Sequence, residues 1–204
     1  MKPQPDCVPC LLKRVLFQAR LLGDGSERDA VSAALKEYAA GYDGATNSAK
    51  LATDVHRAAY EAMGWRDPYL ELKIRADEVA SKYVGRLEAF VDSAEDRFAA
   101  AVRVSIIGNV MDFGSGISID DPGEFDGQFE RLLEQGIDSD QTDELRKLVE
   151  GSESVVYMFD NCGEGIFDTI LMREIRRMGK RIVGVVRGEP ILNDITAEDA
   201  LAHP

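Results

Sequence analysis

Cationic side chains are in the minority: 24 Lys and Arg stand against 37 Asp and Glu, a formal charge of −13. Such a surface repels a phosphate backbone, because nucleic-acid binding rests on basic patches that neutralise phosphates. DNA and RNA are therefore not expected as partners, while small phosphates, which a metal can bridge, stay open. Long apolar runs are missing too. None approaches the roughly 18 residues needed to cross a bilayer, so no membrane partner is expected. The opening "MKPQPDCVPC" lacks the apolar core of an export signal, which makes cytoplasmic residence the expectation.

Cysteine and histidine are scarce. Three cysteines, Cys7, Cys10 and Cys162, do not make a disulfide framework. Cys7 and Cys10 form a "CVPC" pair, but a four-ligand zinc site would have to draw on one more cysteine and on His56 and His203. A thioredoxin-type couple needs a preceding strand, and "MKPQPD" is unlike one. Both cysteines fit the first turn of a helix, with a redox or metal role left open. His56, in mid-helix among charged neighbours, reads as a surface residue.

What is present is ordinary for a globular chain. The sequence has 204 residues, 45% hydrophobic and 30% charged, enough for one sizeable domain or a domain with an appendage. Residues 1–95 have helical periodicity. Val8, Leu11, Leu12, Val15, Leu16 and Ala19 recur on one face. "SERDAVSAALKEYAAGY" follows, with Ser26 as cap and Gly41 as stop. Then come "TNSAKLATDVHRAAYEAMG" and the long "DPYLELKIRADEVASKYVGRLEAFVDS". From 96 to 204 the pattern predicts an α/β domain with a mostly parallel, three-layer arrangement. "AVRVSIIGN", "SVVYMFD" and "RIVGVV" are its expected strands, interleaved with the helices "DSDQTDELRKLVEGS" and "GIFDTILMREIRRMGK".

In open parallel sheets, ligands bind beyond the carboxyl ends of the strands. The first expected strand ends in Asn109 and Asp112, the second in Asp160 and Asn161, the third in Arg187 and then Asn193 and Asp194. Carboxylates and amides converging on one rim offer hard oxygen donors, which suit Mg²⁺ or Mn²⁺. Gly163 and Gly165 fall between strand and helix, where backbone N–H groups favour an anion. The same residues also make ordinary turns and caps, and Glu164 and Asp168 suit a solvated helix start. Periodicity leaves three functions open: a metal-dependent phosphatase, a non-catalytic metal- or nucleotide-binding module, and a CxxC redox or metal protein.

The chain resembles the metal-dependent damage-control phosphatases, most closely their archaeal and bacterial branch. The features that carry the resemblance are "CVPC", "GNVMDFG" at 108–114, "DNCGE" at 160–164 and "RGEPILNDIT" at 187–196, with "DPYLELK" at 67–73 in support. It implies a helical domain on an α/β domain, and hydrolysis of small phosphorylated metabolites such as damaged or side-product sugar phosphates. The implied cofactor is Mg²⁺ or Mn²⁺, with Ni²⁺ or Co²⁺ as substitutes. The implied metal ligands and catalytic residues are Asp160, Asn161 and Asp194. Asn109 and Asp112 would position substrate or water, with Gly163, Glu164 and Arg187 in the same shell. Members of the family continue to a lysine-glycine element that binds phosphate. With the chain ending at Pro204, the expected sheet is incomplete and phosphate contacts fall to Arg187 or to another chain. No covalent aspartyl step is expected, since Asp160 is followed by Asn161 and Cys162 rather than by the "DxD" of aspartate-nucleophile phosphatases. Neither substrate identity nor oligomeric state is legible.

Overall fold

The computed structural model describes residues 1–43, 45–111, 125, 128–137 and 139–202. The expected site residue Asp112 and His203 lie outside them. Contacts divide the chain into two compact units, Met1–Tyr69 and Leu70–Pro204. The sequence boundary at residue 95 falls inside the second unit, which takes in the long helix with Lys73 and Asp77.

The first unit contains α1 (Cys7–Leu22), α2 (Glu27–Gly41) and α3 (Ser48–Ala62). Each buries an i, i+4 stripe: Val15 and Ala19, Ala30 and Ala34, then Leu51, Val55 and Ala59. Small side chains on these stripes let helices approach closely. Asn47 caps α3, its side chain accepting from Ala49 N at 2.8 Å. Ser26 precedes α2 as expected but makes no side-chain cap bond. Cys7 and Cys10 do open a helix, the first half-buried and the second exposed. His56 is a correction. It lies on the inner side of α3, 5% exposed, with no hydrogen-bond partner at Nδ1 among the described residues. It stands four residues before the buried Tyr60, and residues four apart share a helix face, whereas its charged neighbour Arg57 is exposed.

The second unit runs α4 (Leu70–Ser93), α5 (Arg97–Gly108), a 3₁₀ turn at Asn109–Met111, α6 (Phe129–Glu134), α7 (Thr142–Glu150), β1 (Ser154–Met158), α8 (Glu164–Arg177), β2 (Arg181–Val185) and α9 (Ala197–Ala202). The expected first strand is therefore helix α5, which is a second correction. Its apolar run is buried almost all round, at Phe98, Ala100, Ala101, Val102, Val104 and Ile107. A helix buried on every side gives the same unbroken apolar run as a buried strand, and periodicity does not separate them. Three consecutive alanines at 99–101 and the Asp96 cap favour the helix. Asp96 Oδ1 accepts from Ala99 N at 3.0 Å. Asp96→Ala should lower stability by about 1 kcal/mol in denaturant unfolding; an unchanged midpoint would remove the cap from this account.

The fold is α/β, mostly helical with a small parallel sheet. Among the described residues the sheet holds two strands rather than three, with Val155 opposite Ile182 and Tyr157 opposite Gly184. Val155, Tyr157 and Ile182 pack on a core built from α4, α5 and α8 around Phe98, Phe125, Phe129, Phe167 and Leu87. The opposite face presents Val156, Met158, Val183 and Val185 outward. Because β1 and β2 are parallel and adjacent, both deliver their following loops to the same edge.

Candidate functional site

β1 leads through Phe159 to Asp160 and Asn161, and β2 leads through Arg187 to Asn193 and Asp194. The two exits then pair with each other. Asn161 and Asp194 form an antiparallel bridge. Ile195 N donates to Asp160 O at 2.8 Å, and Cys162 N donates to Asn193 O at 2.9 Å. Backbone bonds thus bring Asp160, Asn161 and Asp194 together from two distant stretches of sequence.

Their side chains differ in setting. Asp160 is exposed, and its carboxylate accepts no hydrogen bond from a described residue. Asn161 is buried and donates through Nδ2 to Glu164 Oε2 at 3.1 Å. Asp194 is buried, with Oδ2 accepting from Arg187 Nε at 2.5 Å. Arg187 is itself exposed, and a guanidinium has further N–H donors beyond Nε.

Asn109 reaches the site by a different route from the one its sequence suggests. It follows the C-terminus of α5, where its Nδ2 donates to the same Glu164 Oε2 at 3.2 Å. Gly108 makes this possible. A Cβ there would lie 3.2 Å from Phe167 Cβ and 3.3 Å from Glu164 Cα, so a larger residue would push α5 from the start of α8.

Glu164 is half-buried, and the solvated helix start weighed for it is not what forms. Burial, then the negative charge of Asp168, push its carboxyl up to about 7 against the opposing pull of the two amides. Asp160 adds to the upward push. Asp168 lies one turn along α8 and is buried as well. Ser105 Oγ and Tyr157 OH both donate to its Oδ1, at 2.5 and 2.7 Å. Burial raises its pKa, the hydroxyls oppose the rise, and Asp160 reinforces it. Sequence gave no sign of Asp168's burial, since that requires α5 and β1 to meet over α8.

Gly163 stands before α8 with φ 84°, a left-handed conformation that disfavours side chains. Its N–H donates to Asp77 Oδ1 at 2.6 Å. The anion at this helix start is a carboxylate of the chain itself. Gly165, expected in the turn, is already inside α8, and its N–H bonds Asn161 O at 3.0 Å. Cys162 is buried beside this turn.

The donors at the exits are two carboxylates and one side-chain amide, all oxygen. Among the described residues, no three His, Cys, Asp or Glu side chains gather into a metal-binding group on their own. A hard cation does not require that. Mg²⁺ characteristically takes one or two protein carboxylates and completes its shell with water or substrate phosphate. The crowding that lifts Glu164 and Asp168, in which Asp160 takes part, is also an electrostatic environment that favours a positive ion. The donor set fits Mg²⁺ or Mn²⁺.

Known proteins resemble this chain over nearly its whole length. A family model described as the damage-control phosphatase ARMT1-like domain matches residues 4–203. A damage-control phosphatase from Archaeoglobus fulgidus is 40% identical over 203 residues, which cover 98% of this chain and 69% of that protein. Damage-control phosphatase PH1575 from Pyrococcus horikoshii is 32% identical over 203 residues, covering 98% and 68%. The crystal structure of a DUF89 family protein, PH1575, matches with a TM-score of 0.84 at 27% identity, over 99% of this chain and 70% of that one.

Proposed function

The chain belongs to the damage-control phosphatase ARMT1-like domain family, and from that membership we propose that its strand-end site hydrolyses monoesters of small phosphorylated metabolites with the help of a divalent cation. The family is a phosphatase family acting on damaged metabolites and is generally metal-dependent. Asp160, Asn161 and Asp194 would hold the cation, Mg²⁺ or Mn²⁺ by the hardness of their oxygens. The observation that carries this assignment is the backbone pairing of the two strand exits, with Ile195 N 2.8 Å from Asp160 O.

When bound, such a cation polarises a phosphoryl group and lowers the pKa of a coordinated water toward neutrality. The chain's own groups have separate tasks. Asp160, exposed and unengaged, presents its carboxylate to the open side of the site. Arg187 orients Asp194 through Nε and offers its remaining N–H groups to a phosphate oxygen. Glu164, its carboxyl pushed up by burial and by Asp168, stands beside these groups at the start of α8. Asn109 and Asn161 fix that carboxyl by donating to one of its oxygens. Gly163 contributes its backbone geometry, since its N–H is engaged by Asp77. Asp112, outside the described residues, is assigned to substrate or water positioning on the family resemblance alone.

A phosphate-release assay with Mn²⁺ tests the assignment. Incubated with a panel of sugar phosphates and an aryl phosphate, the protein should liberate inorganic phosphate from monoesters and leave diesters intact. No release from any monoester with Mg²⁺, Mn²⁺, Ni²⁺ or Co²⁺ would overturn it. Binding of Mn²⁺ and phosphate without turnover would favour a non-catalytic module.

A further inference from the structure

Lys73 is buried on α4, its side chain 2% exposed, with Nζ 3.1 Å from Asp199 Oδ2. That same Oδ2 accepts from Thr196 N at 2.9 Å and from Thr196 Oγ1 at 2.8 Å. The ion pair therefore fastens the turn that follows Asp194 and Ile195. One helical turn along α4, Asp77 Oδ1 accepts from Gly163 N at 2.6 Å, fastening the turn that follows Asp160 and Asn161. Residues four apart lie on one helix face. One face of α4 thus holds both chain segments that pair at the strand exits.

The space between is not filled by packing. A cavity of about 60 Å³ lies there, bordered by Asp77, Cys162, Ile195 and Asp199 among others. Protein interiors hold position chiefly by close packing, so where a cavity interrupts it, polar ties must do so. Burying a lysine is costly even when paired, and an apolar residue of similar volume commonly serves stability as well. What an apolar residue could not do is define where the 194–199 segment sits.

We propose that Lys73 and Asp77 are positioning residues for the phosphatase site, a clamp on α4 that sets the spacing between the two cation-binding segments. This rests on the assignment of Asp160, Asn161 and Asp194 as the groups that hold the cation. Partners outside the ligand shell orient the ligands, and their loss typically weakens metal binding about 10- to 100-fold.

The test uses the intact chain, with Mn²⁺ alone as ligand. Calorimetry and Mn²⁺ electron paramagnetic resonance are read beside melting temperature for Lys73→Met, Asp77→Ala and Thr196→Val, with Lys73→Arg as the conservative variant and Asp160→Ala as reference. Lys73→Met and Asp77→Ala should bind Mn²⁺ about tenfold or more weakly, with a matching rise in the Mn²⁺ needed for half-maximal activity. At saturating Mn²⁺, kcat should stay within about threefold of wild type, because the ligands themselves are intact. Lys73→Arg should recover most of the affinity. If Lys73→Met does not fold, Asp77→Ala and Thr196→Val decide, since both leave Lys73 paired with Asp199. Folded variants that bind Mn²⁺ like wild type, while Asp160→Ala loses it, would overturn the clamp alone. A wild-type chain that binds no Mn²⁺ would overturn the cation site and the clamp with it.

Discussion

Asp160→Ala should fold like the wild type and lose about 10³-fold in metal-stimulated hydrolysis of an aryl phosphate, the rate equivalent of about 4 kcal/mol of transition-state stabilisation. Both halves of that expectation come from its setting. The carboxylate is exposed and accepts no hydrogen bond from a described residue, so truncation leaves no buried group unpaired. Its backbone carbonyl, which accepts from Ile195 N, is unaffected by the substitution. The melting temperature should therefore move little. Asp194→Ala offers the contrast. Asp194 is buried and paired with Arg187, so its removal should cost stability as well as activity. Retention of wild-type turnover by folded Asp160→Ala would sink the cation assignment.

That separation of roles could be read from sequence only in part. The strand-end motifs marked Asp160, Asn161 and Asp194 because polar groups after apolar strands collect at one edge of a parallel sheet. The helices of the first unit were legible from their period, and the two strands from short β-branched apolar runs bounded by polar turns. Asn109 is different. It was assigned to the rim as the exit of a strand, and it arrives there from the C-terminus of helix α5. The location survives although the element does not, because Gly108 lets α5 end directly against α8. Lys73 and Asp77 carried no chemical sign at all. "DPYLELK" contributed to the resemblance, yet a lysine in an amphipathic pattern reads as solvated, and its partner Asp199 is remote in sequence. Pairings between distant segments are tertiary facts, invisible to a local window. Asp168 was hidden in the same way, its hydroxyl partners Ser105 and Tyr157 coming from two other elements.

His56 carries the largest pH effect expected for the first unit. Burial, reinforced by the positive charge of Arg14, pulls its imidazole from the usual 6.5 down to about 4. The folded chain consequently keeps this histidine neutral in a range where the unfolded chain protonates it. Above pH 6.5 both states are neutral and the residue contributes no slope. As pH falls from 6.5 toward 4 the unfolded state takes up the proton first, so stability is lost through that window. The loss amounts to about 2 kcal/mol by pH 5 and about 3 kcal/mol by pH 4. His56→Leu removes the titration while keeping an apolar side chain on the buried stripe with Val55 and Ala59. Urea unfolding of both proteins at pH 7 and pH 5 isolates the term, because the carboxylates that dominate acid denaturation are common to the two. The variant should gain about 2 kcal/mol on wild type between those pH values. Parallel stability curves would mean that the imidazole is protonated in the folded chain as readily as in the unfolded one, and that its place among the helices does not exclude the charge.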